Sequence, residues 1–453
     1  MSLSSPRPPL VSSSSSMNAS APHPAFQPPV ETAPAAPQLP YTVQRDEPHL
    51  FARVADRVAA SALRVRPGLG NLDLGSVLDA ARARTGLVDW GDGGFQVPLT
   101  RLLEEAASGG LSPLGRCITQ QVAVSAVSNR LSLYDYVRRH PEVRSIPIER
   151  PIFVVGFPRS GTTLLQNLLA LDPDSRALRF WELLAPTPTH ADPTRDRWIR
   201  RTRARVLVGA AYLMSPEQRV IHEVGVDTAE ECWPLFQTRA SALNNDLMSG
   251  FTGYGDWLLE QDMVPAYREY RLQLQVLAHG QRDSRFVLKC PEHLWFLDAL
   301  LEVFPDARIV WTHRDPVECI ASYCSMASLQ IRNMRGRVDR PRLGAHLSSR
   351  FLSGVERAMA VRDRIGGDRF YDVPFERFAA DPAGTVREIE AWSGAPPSAV
   401  REARVEAYLH DQRGDGQGKH IYGAERFSLD VADLMRRFRP YIDRYEIPCH
   451  SAA

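Results

Sequence analysis

Lysine is nearly missing from this chain of 453 residues. Of its 54 basic residues only Lys289 and Lys419 are lysines, and arginine supplies the rest. That scarcity raises the question of whether a compact, flexible ammonium is needed at those two positions. Excess charge of either sign is missing too. A formal net charge of +1 speaks against a basic nucleic-acid binder and against an acidic tail. No apolar run approaches the ~20 residues of a membrane span. The six cysteines, Cys117, Cys232, Cys290, Cys319, Cys324 and Cys449, have no metal-ligand spacing. Free thiols in a reducing compartment, and so a cytoplasmic location, are the expectation. The first forty residues lack the apolar core of a secretory signal. They are rich in Pro, Ser and Ala, with SSSSS at 12–16, and are expected to be flexible.

What is present is a change of pattern near residue 150. Before it, apolar spacing predicts helices over 47–64, 74–85, 99–107 and 111–137. After it come short continuous apolar runs that suit strands covered on both faces: PIFVV at 151–155, RFVLK at 285–289, ARIVWT at 307–312 and a fourth at 369–373. Helices are expected at 162–171, 294–304, 316–326 and 382–392. The stretch 209–280 reads as mostly helical. Repeated strand–helix units imply an α/β fold, a central parallel sheet flanked by helices, with an additional N-terminal helical region packed on it. Active residues should sit at the carboxyl ends of the strands. The expected organisation is a low-complexity segment (1–42), a helical region (43–148), an α/β domain (149–440) with a helical acceptor-binding insertion at about 195–282, and a tail (441–453).

The run GFPRSGTT follows the first buried strand directly. It comprises Gly156, Phe157, Pro158, Arg159, Ser160, Gly161, Thr162 and Thr163. It fits the outline of a phosphate loop, but Thr162 fills the lysine position. Glycines let the backbone curl around an oxyanion, and the loop N–H groups and helix N-terminus then face it. Arg159 can restore the charge lost with the lysine. An ATPase normally needs that lysine and a magnesium-binding acid, and neither is clear here. Asp315 follows a strand but is flanked by Arg314 and Pro316. A donor with one accessible phosphate-like group and no metal fits better.

PRSGTT resembles the 5′-phosphosulfate loop of sulfotransferases that use 3′-phosphoadenylyl sulfate (PAPS). A second block, THRDPVECIASY at 312–323, resembles the family's 3′-phosphate site, where an arginine after a strand and a serine eight residues later bind that group. Those positions are Arg314 and Ser322. The likeness is nearest to the bacterial and actinobacterial type. It includes PLTRLLEEA, PEVRSIPIERPIFVVGFPRSGTT, LKCPEHLWFLDALLEVFPDARIVWTHRDP, YDVPFERFAADP and KHIYGAERFSL, and runs from about 80 to about 434. The resemblance implies a P-loop nucleoside-triphosphate-hydrolase-like fold. It also implies PAPS as donor, 3′-phosphoadenosine 5′-phosphate (PAP) as product, no required metal, and a small-molecule acceptor with a hydroxyl, phenol or amine. No nucleic-acid or membrane-spanning role is implied, and a homodimer is compatible with it.

Sulfuryl transfer needs cations near the sulfate and a base for the acceptor proton. Lys289, at the end of the second strand, can reach bridging or sulfuryl oxygens. The cytosolic members' lysine–threonine–histidine motif is Lys289-Cys290-Pro291 here, so its histidine base is missing. Glu182 is the first candidate base, because tyrosylprotein and trehalose sulfotransferases have a glutamate in the corresponding segment. His293 and Glu292 follow, and His222 and the pair Glu230-Glu231 come behind them. Lys419 and His420, in a glycine-rich segment, match the family's basic C-terminal loop over the 3′-phosphate. Trp233, Phe236, Phe251, Tyr254 and Trp257 are acceptor-pocket candidates, each more readily read as core. The arginine-rich segment 331–340 reads as a charged loop. The alternatives are an atypical nucleotide kinase or NTPase, and a non-catalytic nucleotide-binding protein on the same fold.

Overall fold

Two faces of one sheet organise the molecule. The computed structural model describes residues 41–42, 47–66, 68–281, 284–412, 419–420 and 422–449. Its strands are β1 (Tyr41–Thr42), β2 (Ile152–Gly156), β3 (Ser175–Arg176), β4 (Arg285–Lys289), β5 (Arg308–His313), β6 (Phe370–Pro374) and β7 (Lys419–His420). Five of them form a sheet in the order β3-β4-β2-β5-β6, with every neighbour parallel. The chain leaves β2 toward β3 on one side and later returns to place β5 on the other. The carboxyl end of β2 is therefore a topological switch point, where open α/β sheets place their ligands.

The apolar runs are continuous because both faces are covered. Phe153 and Val155 of β2, Phe286 and Leu288 of β4, and Ile309 and Trp311 of β5 enter one core. Ile152, Val154, Val287 and Val310 enter the other, under the helices Thr162–Leu169 and Pro382–Ser393. This is the two-residue period of a strand read by two different layers. Each fully buried large aliphatic contributes roughly 1.5–3 kcal/mol.

The first core also takes in Val77, Leu99, Leu102, Val124 and Leu131, from the helices Leu74–Thr85, Gln96–Ser108 and Pro113–Arg139. The N-terminal helices and the sheet thus share one hydrophobic interior. Their seam with the helix Val264–Ala278 holds a buried ion pair between Arg130 and Glu269. Arg130 Nε also donates to the Trp90 carbonyl at 2.8 Å and Nη2 to that of Asp92 at 2.9 Å.

The segment expected to be mostly helical is broken. A helix Pro193–Met214 is followed by one-turn helices at Gln218–Ile221, Trp233–Phe236 and Asn244–Leu247 before Val264–Ala278 begins. The helix after β5 runs on to Arg335. The arginine-rich segment is therefore half helix, and Arg332 is buried in it. Among the described residues no helix is long and apolar enough to cross a membrane.

Candidate functional site

β2 ends against β5, with Gly156 in register with Thr312. A Cβ on Gly156 would lie 2.1 Å from Thr312 Oγ1, so only glycine fits where the loop departs. Ser160 is fully buried. Its hydroxyl donates to the Phe157 carbonyl at 2.6 Å and shares a 2.5 Å hydrogen bond with Thr312 Oγ1. Ser160 therefore locks the loop instead of facing a ligand with its side chain. Phe157 stacks on Phe351 inside the core, which leaves only its backbone for the loop. Arg159 (φ 74°) and Gly161 (φ 83°) are both left-handed. For arginine that conformation costs of order 1–3 kcal/mol, a type of strain that clusters at ligand sites. The helix Thr162–Leu169 then starts with no side-chain cap, so its first N–H groups and positive dipole end remain available.

Three cations converge on this turn. Lys289, at the end of β4, is buried, and its Nζ donates to Thr163 Oγ1 at 3.2 Å and to Glu231 Oε1 at 3.0 Å. Burial alone would pull its pKa down, but the Glu231 and Glu230 carboxylates outweigh burial and raise it. Arg159 Nη1 donates to the Ile221 carbonyl at 3.0 Å. Burial lowers its pKa, which makes a partner anion more favourable there. Arg314 Nη1 donates to the carbonyl of Arg159 at 2.6 Å and Nη2 to Glu318 at 2.6 Å, and its guanidinium lies 4.1 Å from the Phe375 ring centroid. Two turns into the helix Pro316–Arg335, the Ser322 hydroxyl is fully buried and has no hydrogen-bond partner among the described residues. A buried hydroxyl without a partner is uncommon, and points to a group that the protein itself does not supply.

β7, which carries Lys419 and His420, pairs with β1 and contacts the helix Gln218–Ile221 beside Arg159. The side chains of Lys419 and His420 lie outside the described residues. Tyr422, just beyond, has its phenol raised by burial while Arg314 and Arg159 act to lower it. Tyr422 thus sits within electrostatic reach of both arginines.

The two leading base candidates are engaged by protein partners. Glu182 is buried; it accepts from Arg176 at 2.6 Å and from the Arg179 backbone N–H at 2.9 Å, closing the start of the helix Phe180–Leu184. Burial would raise its pKa, but Arg176 and that N–H hold it below the usual carboxylate range. A carboxylate so engaged is a poor proton acceptor. His293 is fully buried, with Nδ1 2.8 Å from Tyr267 Oη and Nε2 3.3 Å from Cys232 Sγ. It is a core histidine. Glu292 accepts two backbone N–H bonds, from Leu243 and Asn244. Phe236, Phe251 and Tyr254 are likewise buried in the core.

One of the lower-ranked candidates, Glu231, contacts Lys289 directly. His222 follows the carbonyl that holds Arg159, and its Nε2 lies 3.5 Å from Glu230 Oε2. The backbone of 178–181 runs beside 226–230, through the Phe180 N–H to the Thr228 carbonyl and the Glu230 N–H to the Leu178 carbonyl. The Cys232 N–H then donates to the Lys289 carbonyl. That pairing brings the acidic pair to the strand end, and no spacing in the sequence announces it. A separate depression of about 500 Å³, between Asp262, Glu302, Arg357 and Arg369, holds none of these groups.

Comparison with known proteins bears on the family and the fold. The profile described as "Sulfotransferase family" matches residues 151–398. The crystal structure of sulfotransferase STF9 from Mycobacterium avium is similar at 28% identity and a TM-score of 0.75, covering 82% of this chain and 96% of that one. STF1 from Mycobacterium tuberculosis H37Rv is similar at 28% identity and a TM-score of 0.72, covering 81% and 98%. Among curated proteins, the omega-hydroxy-beta-dihydromenaquinone-9 sulfotransferase Stf3 of Mycobacterium tuberculosis is 26% identical over 342 residues, 72% of this chain and 83% of the relative.

Proposed function

This chain belongs to the sulfotransferase family, and from that premise we propose how its crevice works. It is an enzyme of the PAPS-dependent class, moving a sulfuryl group from PAPS to a small-molecule acceptor. In our reading the loop 156–163 is the P-loop-like cradle of the 5′-phosphosulfate. Its N–H groups, Arg159, Thr162 and Thr163 meet the phosphate and sulfuryl oxygens. Arg314 and Ser322 take the 3′-phosphate at the other end of the nucleotide. The observation that carries this reading is the 2.6 Å bond from Arg314 to the carbonyl of Arg159. Two blocks 155 residues apart meet within the reach of one adenosine donor.

The acceptor oxygen attacks sulfur as the bond from sulfur to the bridging oxygen breaks. The electron pair of that bond stays on the 5′-phosphate of PAP. Lys289 stabilises the charge growing on the bridging oxygen. The acceptor proton passes to His222, oriented by Glu230, while Glu231 balances Lys289 between turnovers. A histidine backed by a carboxylate suits proton removal near neutral pH. Stf3 is named for an omega-hydroxy-beta-dihydromenaquinone-9, which favours an alcohol acceptor here.

The test pairs binding with turnover. Calorimetry should show PAP binding in the presence of EDTA, and labelled PAPS should add one sulfuryl group to an alcohol in an acceptor screen. His222→Ala should lower turnover about 10²–10⁴-fold, keep PAP affinity, and recover in part with added imidazole. Magnesium-dependent ATP binding without PAP binding would overturn the donor assignment. Unchanged turnover in His222→Ala, with loss in Glu182→Gln, would return the base role to Glu182.

A further inference from the structure

Two long helices, Pro113–Arg139 and Val264–Ala278, end side by side. They are held by a small core of Leu133, Val137, Val143, Leu272 and Val276. Each helix is capped by a histidine: His140 closes the first and His279 the second. Glu142, in the following turn Pro141–Ser145, lies between them. Its Oε1 is 3.3 Å from His140 Nδ1 and 3.4 Å from His279 Nε2. One ligand atom from each of the three residues fits within 4.8 Å of the others.

We propose that His140, Glu142 and His279 bind a divalent transition-metal ion of the zinc type. Bonds of about 2.0–2.1 Å in a tetrahedral site put neighbouring ligand atoms roughly 3.3–3.4 Å apart. Both separations from the carboxylate oxygen match that edge. Two imidazoles and one carboxylate form a borderline donor set, which suits zinc better than magnesium or calcium. Water supplies the fourth position. Tyr136 Oη lies 2.9 Å from His279 Nδ1. By accepting the Nδ1 proton it fixes the tautomer and leaves Nε2 for the metal, as partners of metal-bound histidines commonly do. Two helix carboxyl ends meet here, and their dipoles favour a cation.

The site is separate from the transfer crevice and independent of the reading given to it. His279 precedes the amino end of β4, whereas Lys289 stands at the carboxyl end of the same strand. A bound ion would clip the N-terminal helices to the helix that leads into β4. Its role is therefore to hold the seam, with no part in sulfuryl transfer.

The experiment uses the full, tag-free chain, stripped with EDTA and dialysed against micromolar Zn²⁺. One equivalent should be retained per chain. The melting temperature should rise by on the order of 2 °C, and Co²⁺ in place of Zn²⁺ should give the visible absorption of a tetrahedral site. Glu142→Gln and His279→Ala should abolish the retained equivalent, with far-UV circular dichroism unchanged. Tyr136→Phe should weaken affinity by about 10–100-fold and leaves all three ligands in place if the other variants fold poorly. Failure of the wild type to retain the equivalent overturns the proposal. So does retention by Glu142→Gln and Tyr136→Phe equal to that of the wild type.

Discussion

Arg130 and Lys289 are both fully buried cations, and each sits beside a glutamate. Arg130, at the helical seam, spends its donors on protein acceptors: Glu269, the Trp90 carbonyl, and the carbonyl and Oδ1 of Asp92. Its guanidinium also lies 4.5 Å from the Phe95 ring centroid. Glu269 accepts in turn from Thr238 at 2.7 Å. Lys289, at the strand ends, has three ammonium protons but two acceptors among the described residues, and its carboxylate partner Glu231 is a quarter exposed. The first arrangement is closed on itself and serves stability. The second is not closed in this way among the described residues, and fits the role proposed for Lys289. Burial of a cation alone would not tell them apart; the fate of its protons does.

The sharpest way to break this comparison is to remove each cation separately. Arg130→Met leaves buried Glu269 with Arg239, 3.5 Å away, as its remaining cation, and should cost up to about 3–5 kcal/mol of stability. Turnover, measured well below the melting temperature, should stay near wild type. A chemical-denaturation curve alongside kcat settles it. If kcat fell while stability held, the seam would not be the closed element described.

Lys289→Met should do the opposite. The methionine keeps the packed stem and removes the charge. Turnover should fall about 10²–10³-fold, the usual loss for one donor aimed at developing charge. Stability should change little, because the partner Glu231 can turn to water. Single-turnover kinetics with saturating PAPS would separate this effect from donor binding.

These two buried cations also mark how far the sequence could be read. Strands β2, β4 and β5 were legible to within one residue, because an apolar run covered on both faces admits little else. Lys289 was legible as a strand-end lysine in a chain almost without lysine. The contacts of Glu182 were not. They depend on Arg176, six residues earlier, folding back across a short strand, and the same residue types elsewhere would make a base. His293 is a candidate in the sequence because it stands four residues past Lys289, but Tyr267 and Phe153 from distant elements pack against it. Glu231 reaches Lys289 just beyond the backbone pairing between 178–181 and 226–230. Such pairing is tertiary, and local composition does not encode it.

A smaller effect separates the two ends of the donor. Arg314 contacts its neighbours through Arg159 and Glu318 but does not touch Lys289 among the described contacts. Arg314→Ala should weaken PAP about 10–100-fold, as expected for loss of a charge-assisted contact, and weaken AMP much less. Ser322→Ala should weaken PAP by about fivefold. Equal losses for PAP and AMP would remove these residues from the 3′-phosphate.

Glu292 completes the comparison from the side of the carboxylates. Like Glu269 it is buried, but it meets two backbone N–H groups where Glu269 meets an arginine. Burial pushes its pKa up to about 8, against the pull of those N–H bonds. In the unfolded chain it titrates near the ordinary 4.5. Below that value both states hold the proton, and Glu292 does not affect the balance. Between 4.5 and about 8 the unfolded state loses its proton first, so this group makes folding less favourable as pH rises. Its contribution to the slope is at most about 1.4 kcal/mol per pH unit, and it levels off above about 8. Glu292→Gln removes the titration while keeping one acceptor oxygen. The wild type should therefore lose melting temperature relative to that variant as pH climbs from 5 to 8, with no further divergence above. Parallel curves across that window would mean the two N–H bonds outweigh burial. Glu292 would then be closed on itself in the manner of the seam.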